Sequence, residues 1–222
     1  MKLSVIITAG GIGKRFSSTI PKQFLNLDEL PILMHTIKRF SNWKPEVKII
    51  LTLPKEWREY WDGLIEKHDF TIPHQIVDGG RERFHSIKNA LNVCSDGHVM
   101  IHDGVRPLVS PDTLSRSVEA LKTHDAVVPY LKIKDSIRVI NNGNSEAVDR
   151  KKYVTVQTPQ CFNLDVVKKA YLDEYQVAFT DDASVVENSG VNIHLIDGNE
   201  ENIKITTQKD LLTAMTILKN IK

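Results

Sequence analysis

Leu3-Ser4-Val5-Ile6-Ile7-Thr8-Ala9-Gly10-Gly11-Ile12-Gly13-Lys14-Arg15 opens the chain as an apolar run that breaks into a glycine-rich turn. Such a run, bounded by glycines and too short for a helix, reads as a strand buried on both faces of a parallel sheet. A buried strand ending in glycines leaves several backbone N–H groups pointing at one place. Lys14, Arg15 and, after Pro21, Lys22 add positive charge there. Backbone donors and fixed cations around one turn suit a polyphosphate. The glycines alone fit an ordinary strand-to-loop connection equally well.

The turn is neither of the common phosphate loops. A P-loop needs a hydroxyl after Gly-Lys, and Arg15 follows Lys14; Thr8 stands where the first glycine would be. A dinucleotide fingerprint needs a third glycine, and Phe16 occupies that place.

Beyond the turn, short β-branched runs alternate with amphipathic stretches. Strands are predicted over 3–7, 47–53, 71–77, 98–101, 126–130 and 191–195. Helices are predicted from Pro31 to about Asn42, after Pro54, over 82–93, from the Ser110-Pro111 cap to about His124, and from Thr207 onward. This alternation predicts an α/β fold with a mostly parallel sheet covered on both faces. The segment 132–156 interrupts it. There, Asn142-Gly143 between β-prone residues signals a hairpin, either an arm reaching a second subunit or a hairpin lying on its own domain. With no linker or repeat, residues 1–222 read as a single domain carrying that arm.

Composition limits the partners. A net charge of +1, from 29 Lys plus Arg against 28 Asp plus Glu, gives no global field for nucleic acid or an anionic membrane. No apolar run reaches membrane-spanning length. The two cysteines, Cys94 and Cys161, lack metal or redox spacing and suit a reducing, cytoplasmic setting. The eight histidines show no zinc spacing, and no Ser-His-Asp arrangement follows from the order of residues.

Polar clusters follow the strand ends, where open α/β sheets bind ligands. Asp78-Gly79-Gly80-Arg81-Glu82-Arg83 lets a flat base approach the backbone, with Ser86 at a helix start. Asp103 suits a ribose hydroxyl or a metal, or serves as a turn former. Arg106 suits an anionic substrate, or a surface ion pair. Asp181 and Asp182 read as a helix cap and its acidic first turn. Lys204, in a β-prone run, faces either solvent or a phosphate.

Eight words in this order resemble one family over nearly the whole chain: Ala9 to Arg15, Pro21-Lys22-Gln23-Phe24, Asp78 to Arg83, His102-Asp103-Gly104-Val105-Arg106-Pro107, Val148-Asp149-Arg150, Thr158-Pro159-Gln160, Thr180 to Ser184 and Asn202 to Thr206. The family is that of the 2-C-methyl-D-erythritol 4-phosphate cytidylyltransferases of isoprenoid-precursor synthesis (the MEP pathway). The resemblance implies a Rossmann-like nucleotidyltransferase fold, a homodimer through an exchanged β-arm, and a reaction of CTP with a polyol phosphate aided by Mg²⁺. By matching position it assigns Arg15, Lys22 and Lys204 to the triphosphate and the attacked phosphorus. Ala9, Gly10, Gly11, Gly13, Gly80, Arg81, Ser86 and Asp103 fall to the nucleotide, with Asp103 also near the metal. Arg106, Thr180 and, on the arm, Ser136 and Arg150 fall to the acceptor. Two positions depart: Val105 stands where the family often has alanine, and Ser136 where it often has threonine. Ribitol 5-phosphate cytidylyltransferases share several of these words, and a non-catalytic nucleotide-binding relative is a third reading. Asp149-Arg150 and the Thr180 word favour the methylerythritol enzymes.

Overall fold

The computed structural model describes residues 1–10 and 20–221. Its centre is an eight-stranded sheet. The opening run forms β1 (Leu3–Thr8), followed by a small hairpin of β2 (Asn26–Leu27) and β3 (Leu30–Pro31), then α1 (Ile32–Trp43) and β4 (Lys48–Leu53). Next come α2 (Arg58–Lys67), β5 (Gln75–Asp78), α3 (Arg83–Leu91), β6 (His98–Asp103), α4 (Pro111–Ala120) and β7 (Ala126–Lys132). The chain continues with β8 (Arg138–Asn141), β9 (Asn144–Ala147), β10 (Val154–Val156), β11 (Gln160–Asn163), α5 (Leu164–Ala170), α6 (Asp182–Asn188), β12 (His194–Asp197) and α7 (Gln208–Asn220).

β5, β4, β1 and β6 run parallel, and β12 runs parallel to β7. Between β6 and β7 lies β11, antiparallel to both. β10 continues the same run along β7, with Gln157, Thr158 and the cis-bonded Pro159 between the two segments.

Alternation along the strands divides the core. Val5 and Ile7 of β1 point to the face covered by Ile37 and Phe40 of α1, Trp61 of α2 and Leu114 of α4. Ile6 points the other way, toward Ile87 of α3, Val167 of α5 and Val186 of α6. Side chains two apart share a face of a strand, so one run of three apolar residues serves both helical layers. α7 closes one end with Leu211, Ala214 and Leu218 against Leu27, Ile32 and Ile205.

Helix starts follow their caps. Ser110 Oγ accepts from the Thr113 N–H at 3.1 Å. Thr207 and Asp210 cap α7 reciprocally, and Asp181 and Ser184 do the same for α6.

Several expectations need correction. Residues 71–74 do not join the sheet, because Pro73 lacks an N–H and His74 is drawn aside by Trp61, whose Nε1 donates to its ring at 3.0 Å. The last parallel strand begins at His194 rather than 191, since Val191 and Ile193 pack against the core beside α6 before the chain reaches β7. The run around Lys204 is irregular, joined to its neighbours by the Ile205 N–H on the Val105 carbonyl at 3.0 Å.

The hairpin expected over 132–156 is shorter than that: Lys132 belongs to β7 and Val154–Val156 form β10, both paired in the central sheet, and only β8 and β9 between them stand outside it. Among the described residues β8 and β9 pair only with each other, and every residue of both is exposed. Asn142 (φ +48°) and Gly143 (φ +82°) close it with both turn residues left-handed, the type I′ geometry that Asn-Gly favours. Among the described residues no helix is long and apolar enough to cross a membrane.

Candidate active site

The C-terminal ends of β1, β5 and β6 open onto one cleft of about 490 Å³. Its described walls are Thr8, Ala9 and Gly10 after β1, Lys22 and Gln23 from the following turn, residues 80–83 and Ser86 at the start of α3, Asp103 and Val105 after β6, and Lys204. Gln23 is buried and its Nε2 donates to the Ala9 carbonyl at 2.7 Å, fixing the turn as it leaves the strand.

The base of α3 is built for close approach. The Gly80 N–H donates to Ser86 Oγ at 2.9 Å, and that hydroxyl donates to the Glu82 carbonyl at 3.2 Å. A Cβ on Gly80 would fall 2.4 Å from the His85 Cβ and 2.8 Å from its carbonyl carbon. Glycine is required here by contact with backbone, not by its dihedral freedom.

Asp103 is the electrostatic centre. Its Oδ2 lies 3.0 Å from Lys204 Nζ and 3.3 Å from Arg106 Nε, and its Oδ1 lies 3.6 Å from Arg83 Nε. Burial alone would raise its pKa, yet Arg83, Lys204 and Arg106 together outweigh burial and hold it well below the usual carboxylate range. Asp103 is therefore a permanent anion among cations.

A hydrogen-bond chain fixes the backbone beneath it. The Asp103 N–H donates to Thr158 Oγ1 at 3.1 Å. That hydroxyl meets His102 Nδ1 at 3.1 Å, and His102 Nε2 meets the Arg106 carbonyl at 2.9 Å. A carbonyl only accepts, so Nε2 carries the proton and Nδ1 accepts from Thr158. Burial lowers the His102 pKa to about 4, which keeps the ring neutral. Arg106 also donates from Nη1 to the Asn202 carbonyl at 2.7 Å, and Asn202 Nδ2 donates to the Thr158 carbonyl at 2.7 Å. Chain segments around residues 103, 158 and 202 are thus tied into one block.

Of the residues singled out from the sequence, Ala9, Gly10, Lys22, Gly80, Arg81, Ser86, Asp103 and Lys204 converge on this cleft. Gly11, Gly13 and Arg15 lie outside the described residues. Arg106 sits behind Asp103, its guanidinium directed to Asp103 and Asn202. Thr180 lies in an adjoining depression of about 210 Å³ that shares Glu82 and Arg83 with the cleft. Ser136 and Arg150 are exposed on the arm, away from the cleft of their own chain. Arg150 donates to the Lys134 carbonyl. Arg83, Thr158, His102 and Gln23 carry no role readable from the sequence, and Asp182 reads there only as the acidic first turn of a helix. Each stands inside one of the eight words, which was the available signal.

Among the described residues no three His, Cys, Asp or Glu side chains converge to hold a metal ion. Asp103 and Glu82 are the carboxylates in the cleft's described walls, and Oδ1 is the less engaged oxygen of Asp103. That donor set fits Mg²⁺ delivered with phosphates, an ion that keeps water and takes one or two carboxylates from a protein.

A sequence model of the family described as IspD, 2-C-methyl-D-erythritol 4-phosphate cytidylyltransferase, matches residues 3–220. The 2-C-methyl-D-erythritol 4-phosphate cytidylyltransferase of Bacteroides thetaiotaomicron is 47% identical over 98% of this chain and 100% of its own length. Among solved structures, the 4-diphosphocytidyl-2C-methyl-D-erythritol synthase of Anaerococcus prevotii superposes with a TM-score of 0.83 at 28% identity, covering 98% of each chain. The bifunctional IspDF of Campylobacter jejuni matches with a TM-score of 0.81 at 31% identity, over 96% of this chain and 54% of that one.

Proposed function

The chain belongs to the 2-C-methyl-D-erythritol 4-phosphate cytidylyltransferase family, and from that premise we propose how its own residues carry the reaction. The enzyme joins CTP to 2-C-methyl-D-erythritol 4-phosphate, giving 4-diphosphocytidyl-2-C-methyl-D-erythritol and pyrophosphate. A phosphate oxygen of the acceptor attacks the α-phosphorus of CTP, and pyrophosphate leaves. The acceptor phosphate is already ionised near neutrality, so no protein nucleophile or strong base is required. The obstacle is the repulsion between two anions.

Lys22 and Lys204 line the cleft and supply fixed positive charge that counts most as charge develops at phosphorus; Arg15 joins them by its matching position. Gly80, Arg81 and Ser86 border the cytosine, with Ala9 and Gly10, and by position Gly11 and Gly13, along the phosphates. Asp103 takes the ribose and would hold Mg²⁺. When bound, that ion would supply Lewis-acid neutralisation of the phosphate oxygens. Thr180 faces the acceptor, with Arg106 as a fixed charge behind Asp103.

Residues 1–222 act as one nucleotidyltransferase domain, and two copies form a homodimer in which each arm brings Ser136 and Arg150 to the acceptor phosphate of the other. The exposure of Ile140 (78%) and Val139 (45%) on that arm supports a covered surface. The two free, buried cysteines and the bacterial relatives support a cytoplasmic setting.

The observation that carries the reading is Asp103, kept ionised by Arg83, Arg106 and Lys204 at the wall of the nucleotide cleft. The test is pyrophosphate release from CTP with 2-C-methyl-D-erythritol 4-phosphate and with ribitol 5-phosphate. Turnover selective for the first is expected; equal or faster turnover of the second would overturn the acceptor assignment.

A further inference from the structure

We propose that Arg83 is a positioning residue that locks the nucleotide side of the cleft to the acceptor side, one guanidinium being shared between Asp103 and Asp182. The inference rests on the reading above and deepens it. Arg83 opens α3 and borders both the cleft and the depression that holds Thr180. Its Nη1 and Nη2 donate to the two oxygens of Asp182 at 2.8 and 2.7 Å. The Nε edge of the same planar group faces Asp103 Oδ1 at 3.6 Å.

Asp182 is more than an acid at a helix start. An acid serving only the helix dipole sits at the surface in contact with water, whereas Asp182 is 0% exposed. Besides the Arg83 fork it receives the Tyr171 hydroxyl on Oδ1 at 2.6 Å. Tyr171 in turn stacks on Phe84, the residue after Arg83, with ring centroids 4.6 Å apart. The brace therefore closes on itself through the start of α3.

The residues flanking Asp182 are held separately. Gln160 Nε2 donates to Asp181 Oδ2 at 2.7 Å, and its Oε1 accepts from the Ala183 N–H at 2.8 Å. Thr180 thus precedes a turn gripped by β11 on one side and by Arg83 on the other. Any movement of Arg83 displaces both the Asp103 carboxylate and the Thr180 turn. Lysine cannot replace it: an ammonium is a point charge, without the fork that engages Asp182 on one edge while keeping another edge for Asp103.

The test is Arg83→Lys in the full-length enzyme, measuring kcat, the KM for CTP, the KM for 2-C-methyl-D-erythritol 4-phosphate, and the thermal midpoint. A folded variant is expected to lose roughly 10²-fold in kcat, the scale of a small misplacement of reacting groups. Its KM for the acceptor rises while its KM for CTP stays near wild type. Unchanged kcat and KM values in the folded variant, or a change confined to the thermal midpoint, overturn the proposal. If Arg83→Lys fails to fold, Tyr171→Phe decides. It removes one hydrogen bond to Asp182, keeps the stacked ring, and is expected to lower kcat/KM for the acceptor by about tenfold, near the 1.4 kcal/mol equivalent of a decade. No change there refutes the brace. Wild-type turnover in the same assay separates the two claims: its absence defeats the reaction reading, while its presence beside an indifferent variant defeats only the role of Arg83.

Discussion

Replacing Lys204 with alanine separates charge stabilisation from structural support. The ammonium sits 3.0 Å from Asp103 Oδ2, yet the side chain is 44% exposed. Asp103 keeps Arg83 and Arg106 when Lys204 is lost, so it stays ionised and no buried charge is orphaned. The stability cost is then that of a half-exposed ion pair, about 0–1 kcal/mol. For a chain of this size that shifts the thermal midpoint by no more than about 4 °C. Catalysis should respond on a different scale. Removing one preorganised group aimed at developing charge costs about 10²–10³ in kcat, or about 2.7–4 kcal/mol. The assay is pyrophosphate release at saturating CTP and acceptor, paired with a thermal scan of the same preparation. A variant that melts normally and turns over within about threefold of wild type, under 1 kcal/mol of barrier, would refute the argument. So would a loss of rate fully accounted for by unfolding.

Gly80→Ala drives a Cβ into the His85 backbone and should raise the KM for CTP about tenfold, about 1.4 kcal/mol, with kcat near wild type; a CTP KM unchanged by titration would contradict the close approach. His102 is buried neutral, with its pKa lowered from 6.5 to about 4. Stability from this depressed group is complete above the unfolded value and declines as pH falls through the interval between the two. Between about pH 7.5 and 5 that loss amounts to about 2 kcal/mol, and His102→Gln should remove it; parallel denaturant-unfolding slopes against pH in the two proteins would disprove the assignment. On the arm, Ile140→Asp should shift sedimentation toward monomer, and Arg150→Ala should raise the acceptor KM and spare that for CTP. A selective loss of CTP binding in the latter would reverse the arm's role.

Strand and helix order was legible because burial and pattern agree. Val5, Ile6 and Ile7 are apolar without alternation, and β1 is buried on both faces. The Asn142-Gly143 turn was equally clear, since its chemistry is local. β11 and α5 escaped because Gln160-Cys161-Phe162-Asn163 is short and carries polar ends; its strand character comes from being clamped between β6 and β7. At the site, Lys22, Asp103 and Lys204 could be named from their words. The partnership of Arg83 with Asp182 could not, because it joins residues 99 positions apart. Asp182 looked sufficient as a helix cap neighbour, and only its burial reveals the second task.

The wide separation of residues 83, 103, 158, 182 and 204 along the polypeptide has a consequence during synthesis. β1, β4, β5 and β6 with their helices emerge from the ribosome before the segment around residue 204 and carry most of the cleft's described walls. Lys204, the Asn202 carbonyl that steadies Arg106, and α7 packed over Leu27 and Ile32 follow later. A nascent chain halted before residue 202 carries Asp103 and Arg106 without the Lys204 ammonium and the Asn202 carbonyl that meet them in the folded cleft.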